Sequence, residues 1–220
     1  MGKIVPTKPL LVLLYGFPGS GKTFLARQLC EQLVAVHVHG DRMRSELFET
    51  PTYNKEEGHV ITSLMQYMTG EFLNAGVSVV YDTNALRTAQ RRALRNMAAK
   101  AGAETVLIWL QIDPESAYSR VSRRDRRKID DKFSQPLDRN AFDALSAGMQ
   151  NPDPVERYLV VSGKHVFSTQ RSAILRHLLD RKLIALEPNA QHIGKPGLVN
   201  LVPNPAAGRV DFSRRNIIIR

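Results

Sequence analysis

A three-layer α/β fold around a five-stranded parallel sheet, with an arginine-rich lid, is what this sequence predicts. Three observations predict it. Strand-like apolar runs alternate with helical patterns from residue 10 to about 183, the order that buries a parallel sheet between two helical layers. Each apolar run ends at a polar or glycine cluster, and ligands of open parallel sheets bind beyond those carboxyl ends. Residues 16–23 read Gly16-Phe17-Pro18-Gly19-Ser20-Gly21-Lys22-Thr23, a complete G-x-x-x-x-G-K-[ST] pattern set between a strand and a helix.

The first strand is the run Leu10 to Tyr15, apolar throughout as a strand buried on both faces should be. The glycines that follow let successive backbone N–H groups turn around an anion, Lys22 reaches terminal phosphates, and the Thr23 hydroxyl suits Mg²⁺. A helix with Phe24, Leu25, Leu29 and Leu33 in period then sets its N-terminal dipole under the phosphates. Strand, loop and helix together make a P-loop NTPase sandwich the expected fold and ATP with Mg²⁺ the expected ligands.

The second strand, 34–39, ends at Gly40-Asp41, and a short helix is expected over about 42–49. A longer helix runs from about Glu56 to Asn74, with Val60, Ile61, Leu64, Met65, Met68 and Phe72 on its inner face, and stops at Gly76. The third strand, 77–81, ends at Asp82-Thr83-Asn84. A basic helix (about 86–101) closes at Gly102, and the fourth strand spans 105–110. Asp113-Pro114 opens an arginine-rich helix and loop, taken as a lid over about 115–135. A helix over about 138–149, a fifth strand at 158–161 and a last helix over about 168–183 complete the domain, 1–187. Residues 188–220 hold four prolines, three glycines and a net charge of +4 with no helical period, and read as a basic irregular appendage.

At 220 residues the chain suits one domain with a full core. No apolar stretch reaches membrane-spanning length and none resembles a leader, so a cytoplasmic protein without a membrane partner is expected. A lone cysteine, Cys30, rules out an internal disulfide and fits a reducing compartment. Lys and Arg number 31 against 21 acids, a net charge of +10, which favours a polyanionic or phosphorylated partner. On the 86–101 helix, Arg87, Arg91, Arg92, Arg95 and Lys100 stand without an acid, so like charges at i, i+4 repel unless an anion compensates. A nucleic-acid backbone is the expected anion, with Arg214 and Arg215 as extensions.

Three clusters carry the chemistry beyond the phosphate loop. A carboxylate at Asp41 is ionised at neutral pH and suits the base that accepts a hydroxyl proton during attack on a γ-phosphate. Arg44, one helical turn on, shares its face and suits an acceptor's anion. Asp82, at the tip of a strand beside the phosphate-loop strand, suits the Mg²⁺ shell, with Thr83 and Asn84 placed to bind the acceptor. Arg120, Arg123, Arg124, Arg126, Arg127 and Lys128 suit a lid that neutralises the transferring phosphoryl group, and two of the six are expected to act in catalysis. His37 and His39 alternate on a strand, one of them facing the crevice, and no third metal ligand is evident nearby in sequence.

These residues resemble the polynucleotide 5′-hydroxyl kinase family. The phosphate loop, the Asp-x-x-Arg after the second strand, Val80-Tyr81-Asp82-Thr83-Asn84, and Ser116 to Arg124 with two arginines four apart carry the resemblance over about residues 10–183. It implies Asp41 as general base, Arg44 as acceptor-binding residue, Lys22 on the ATP phosphates, and Arg120 and Arg124 on the transferring group. Small zeta-toxin-like, sugar and antibiotic kinases share the same skeleton. The expected activity is therefore ATP-dependent phosphorylation of an alcohol group, foremost a DNA or RNA 5′-end. A metabolite, antibiotic or nucleotide-sugar acceptor is the second reading, and an ATP-binding, RNA-engaging switch without phosphate transfer is the third.

Overall fold

A computed structural model of the chain describes residues 3–83 and 87–185. Asn84 and the basic appendage, with Arg214 and Arg215, lie outside the described residues.

Five parallel strands form one sheet in the order β2-β3-β1-β4-β5. They are β1 (Leu10–Tyr15), β2 (Ala35–His39), β3 (Ser78–Asp82), β4 (Glu104–Gln111) and β5 (Tyr158–Ser162). The most apolar strand takes the centre: all six residues of β1 are buried, and it pairs with β3 on one side and β4 on the other. That order sets the end of β3, and so Asp82, next to the loop that leaves β1.

Side-chain alternation sends the two faces of the sheet into two cores. Leu10, Val12 and Leu14 with Val80, Val106 and Ile108 pack under α1 (Lys22–Gln32) and α7 (Phe167–Asp180). Leu11, Leu13 and Tyr15 with Val79 and Tyr81 pack under α3 (Lys55–Asn74) and α4 (Thr88–Lys100). Each fully buried Leu or Val contributes roughly 1.5–3 kcal/mol by leaving water. The remaining helices are α2 (Gly40–Leu47), α5 (Pro114–Ser122) and α6 (Arg139–Ala147). The P-loop NTPase sandwich expected from the sequence is thus the fold observed.

Three local expectations need correcting. Helix α2 begins at Gly40 rather than 42, which puts Asp41 in a first helical turn. The buried stripe of α3 runs Glu57, Ile61, Met65, Thr69 and Leu73, a strict i+4 row, and leaves Val60 about half exposed. The polar Glu57 and Thr69 within that row kept it from reading as apolar.

The third correction concerns α4. Arg91 is wholly buried: its Nε donates to Glu156 Oε2 at 2.7 Å, its other nitrogens reach the Gln150 and Asn151 carbonyls, and its guanidinium lies over the Tyr15 ring. Arg95 lies 3.3 Å from the second oxygen of Glu156. The compensating anion is a carboxylate of this chain, set by a short 3₁₀ turn over Pro154–Glu156, so these two arginines do not face a nucleic-acid backbone.

Candidate functional site

The phosphate loop joins β1 to α1. Gly19 and Gly21 adopt positive φ of 82° and 98°, and a Cβ at Gly19 would run into the Ala117 carbonyl of α5. Glycine there lets α5 lie directly against the loop. Gly21 caps α1 without a side-chain bond, and no acid lies in the first turn, so the helix end offers its backbone N–H groups and positive dipole to an anion. Ser20 Oγ is buried with no hydrogen-bond partner among the described residues, a further open position in the cradle. Lys22 Nζ donates to the Gly16 and Phe17 carbonyls, at 2.8 Å each. The Phe17 carbonyl also accepts from Ser20 N, so the Phe17-Pro18-Gly19 turn closes on itself. Burial pushes the Lys22 ammonium down to about 8; Asp82 opposes this, Arg124 adds to it and Asp41 opposes it.

A cavity of about 440 Å³ opens over this cradle, lined by Gly19, Gly21, Lys22, Thr23 and Phe24 on one side. Ser119, Arg120, Arg123, Arg124, Lys128, Asp130, Asp131 and Ser134 line the other. Its size suits a nucleotide, and its cations suit phosphate. Arg120 is held there by a 2.9 Å bond from NH1 to the Gly163 carbonyl, and Arg124 by a 2.7 Å bond to the Gln135 carbonyl.

A smaller cavity of about 20 Å³ adjoins it, lined by Thr23, His39, Asp41, Asp82, Thr83, Arg124 and Ser134. Thr23, Arg124 and Ser134 belong to both. The Thr23 hydroxyl and the buried Asp82 carboxylate are hard oxygen donors in one small space, a set that fits Mg²⁺. Burial pulls the Asp82 carboxyl upward, but the His37 hydrogen bond and the neighbouring His39, His37 and Lys22 outweigh it and hold it low. Burial lowers His39, with Asp82 acting against that.

Asp41 Oδ2 accepts a 2.9 Å hydrogen bond from the buried Ser134 hydroxyl. Arg44 is placed differently: its NH1 donates to Glu57 Oε2 at 2.7 Å and its guanidinium stacks 4.7 Å over Tyr53. Glu57 also accepts from the Thr52 hydroxyl and from the Thr52 and Tyr53 backbone N–H groups. The Thr52 hydroxyl leads these bonds in drawing its carboxyl down to about 2.

The structure therefore brings together Lys22, Thr23, Asp41, Asp82, Thr83, Arg120 and Arg124, and fixes Arg44 through Glu57. Of the other cations expected there, Arg123 and Lys128 line the larger cavity too, while Ser134 is a new member of the walls and His39, rather than His37, lines the smaller cavity. A serine more than ninety positions from its aspartate gave no signal in the sequence.

Residues 11–152 match the AAA domain family. No curated protein sequence matches the chain. Among solved structures, a sugar kinase from a Janibacter species is 17% identical with a TM-score of 0.58, over 80% of this chain and 95% of that one. Kti12 of Chaetomium thermophilum, solved with ADP-AlF3, is 19% identical with a TM-score of 0.61, over 80% of this chain and 100% of that one. A chain of the Pnkp1/Rnl/Hen1 RNA repair complex is 20% identical with a TM-score of 0.54, over 68% of this chain and 45% of its own length. At such identities the likeness is one of fold. It accords with the α/β sandwich expected from the sequence.

Proposed function

The chain belongs to the AAA domain family, and on that premise we propose that it is an ATP-dependent kinase that transfers the γ-phosphate to a hydroxyl. One juxtaposition carries the reading: Asp41, Thr23, Asp82 and Arg124 line a single small cavity that opens on the phosphate loop. A triphosphate-binding switch has no need of a carboxylate there. The Ser134 hydroxyl donating to Asp41 Oδ2 has the geometry an acceptor hydroxyl requires of its base.

In the proposed reaction the acceptor oxygen attacks the γ-phosphorus, its proton passes to Asp41, and the bond to the β-phosphate oxygen breaks to release ADP. Lys22 exchanges the Gly16 and Phe17 carbonyls for phosphate oxygens. Arg124, reaching both cavities, and Arg120 neutralise the charge that spreads over the transferring group. Thr23 and Asp82 would hold Mg²⁺, which supplies charge neutralisation across the phosphate oxygens.

A nucleic-acid 5′-hydroxyl is the proposed acceptor, supported by the net charge of +10 and by the exposed Arg123, Arg126, Arg127 and Lys132. A small-molecule acceptor is the second reading, favoured by one observation: Glu156 neutralises Arg91 and Arg95 within the fold, which removes two cations from any polyanion surface. We place the kinase domain at residues 1–187, its lid at about 115–135 and the appendage at 188–220. Among the described residues no helix is long and apolar enough to cross a membrane, and the single Cys30 accords with a cytoplasmic setting.

The test supplies γ-labelled ATP with 5′-hydroxyl DNA and RNA and, separately, with sugars, nucleosides and aminoglycosides. Label on the oligonucleotide is the expected result. Label on a small molecule alone selects the second reading. Nucleotide binding without transfer to any acceptor contradicts the kinase.

A further inference from the structure

Two histidines face one buried carboxylate beneath the site. His37 and His39 are two apart on β2 and so project from the same face of the sheet, and Asp82 on β3 stands opposite His39 in the pairing register. His37 Nε2 lies 3.1 Å and His39 Nε2 lies 3.7 Å from the same oxygen, Asp82 Oδ2. The two rings are parallel within 4°, their centroids 5.1 Å apart. One ligand atom from each of the three residues can be chosen so that all lie within 4.8 Å of one another.

From this geometry we propose that His37, His39 and Asp82 form a binding site for an imidazole-favouring divalent cation of the Zn²⁺, Co²⁺ or Fe²⁺ class. The site shares Asp82 with the oxygen set that suits Mg²⁺ and differs from it in the two imidazoles. Donors bound about 2.0–2.2 Å from one ion stand roughly 3.0–3.5 Å apart. The His37–Asp82 separation already meets that, while the three donors together span up to 4.8 Å, so closing on one ion requires the imidazoles to turn toward each other by about an ångström or more. At 3.7 Å the second imidazole is too far for a hydrogen bond to the carboxylate, so hydrogen bonding explains one histidine and leaves the other without a reason to converge.

The setting suits a metal centre. Side-chain exposure is 3% for Asp82, 9% for His39 and 22% for His37, so the donors are shielded from water on most sides. The way in is the smaller cavity, which His39, Asp82 and Thr23 line. Phe133 sits edge-on over the His39 ring and covers it. Two nitrogens and one oxygen are a poor set for Mg²⁺, which keeps oxygen ligands and waters, and a good one for later first-row ions, whose affinity for such sites rises from Mn²⁺ toward Cu²⁺. Three protein ligands leave positions open beside Thr23, where a phosphate oxygen would arrive in a nucleotide-bound protein.

The experiment titrates the nucleotide-free full-length protein with Co²⁺ and follows its visible ligand-field absorption, then displaces it with Zn²⁺. Phosphate transfer plays no part in the readout, so its outcome is independent of the kinase reading. Saturable bands of equimolar stoichiometry are expected, resistant to millimolar Mg²⁺ and abolished by Zn²⁺. His37→Gln and His39→Gln should each lower Co²⁺ affinity at least about tenfold, with unchanged far-ultraviolet circular dichroism, while Cys30→Ser leaves the bands intact. No ligand-field bands, bands that persist in the folded double histidine variant, or displacement by equimolar Mg²⁺ would each overturn the site. His37 would then serve only as the hydrogen-bond partner of Asp82.

Discussion

Helix α4 and the segment from Arg120 to Lys128 are the two arginine-rich regions described, and they direct their charge in opposite ways. Arg91 of α4 points inward with no exposure, and its partner Glu156 is 3% exposed, so the pair is a piece of core. Arg120, Arg123, Arg124 and Lys128 point across the phosphate loop into a cavity large enough for a nucleotide. The difference lies in where acids stand. Glu156 is delivered to α4 by a turn 65 positions away and satisfies it internally. Around the second segment, Asp125 meets Arg127 at 3.0 Å on the outside, and Asp131 approaches Arg124 only to 3.9 Å. Arg124 keeps donors for a ligand; Arg91 has none to give away from the core without breaking it.

Substitution should separate the two regions. The largest effect expected is in the Arg120–Lys128 segment: Arg124→Ala lowers phosphate transfer by ~10³-fold or more while the melting curve barely moves, as single-turnover rates and calorimetry would show. A drop in stability without loss of transfer would reverse the assignment. Arg91→Met should do the opposite. It leaves Glu156 buried, destabilising the fold by about 3–5 kcal/mol in chemical denaturation, and pairing it with Glu156→Leu should recover most of that loss.

A smaller effect is expected from pH. Burial holds the Lys22 ammonium near 8, below its ordinary 10.5. Between those values the unfolded chain binds a proton that the folded, nucleotide-free chain does not, so stability of the free protein rises with pH across that window. Phosphate restores the proton. ADP binding should therefore take up part of a proton near pH 8 and weaken as pH rises above it, measurable by calorimetry in buffers of different ionisation heat. Proton release on binding would contradict this. The smallest effect is at Arg127, whose side chain is 92% exposed. Arg127→Ala should leave both melting and transfer of a small acceptor within about a factor of two. With oligonucleotide acceptors a loss that grows at low salt is expected from the proposed nucleic-acid acceptor, and no loss at any salt would remove Arg127 from that surface.

Much of this is legible in the amino-acid sequence. The apolar run at β1, the loop glycines and the Asp82 strand tip report local rules of burial, turn geometry and strand order, and all three fell where the pattern placed them. What escaped depends on contacts distant in sequence. Arg91 reads as an exposed cation until Glu156 is brought to it. Glu57 reads as surface until Thr52, Tyr53 and Arg44 close around it, which is also why Arg44 is tied down rather than free toward an acceptor. Ser134 carries no motif at all, and the alternation of His37 and His39 leaves open which one faces the crevice; only the folding of the 123–138 loop over the end of β2 sets Ser134 on Asp41 and Phe133 over His39. Asn84 remains an expectation from sequence, as does the part played by residues 188–220.

The most direct measurement is single-turnover transfer from γ-labelled ATP in Asp41→Asn, alongside the affinity of that variant for ADP. Asparagine keeps the shape and can still bond the Ser134 hydroxyl but cannot take a proton. Transfer should fall by about 10²–10⁴-fold with ADP affinity unchanged. Transfer at the wild-type rate, with ADP bound as before, would contradict the placing of the base at Asp41.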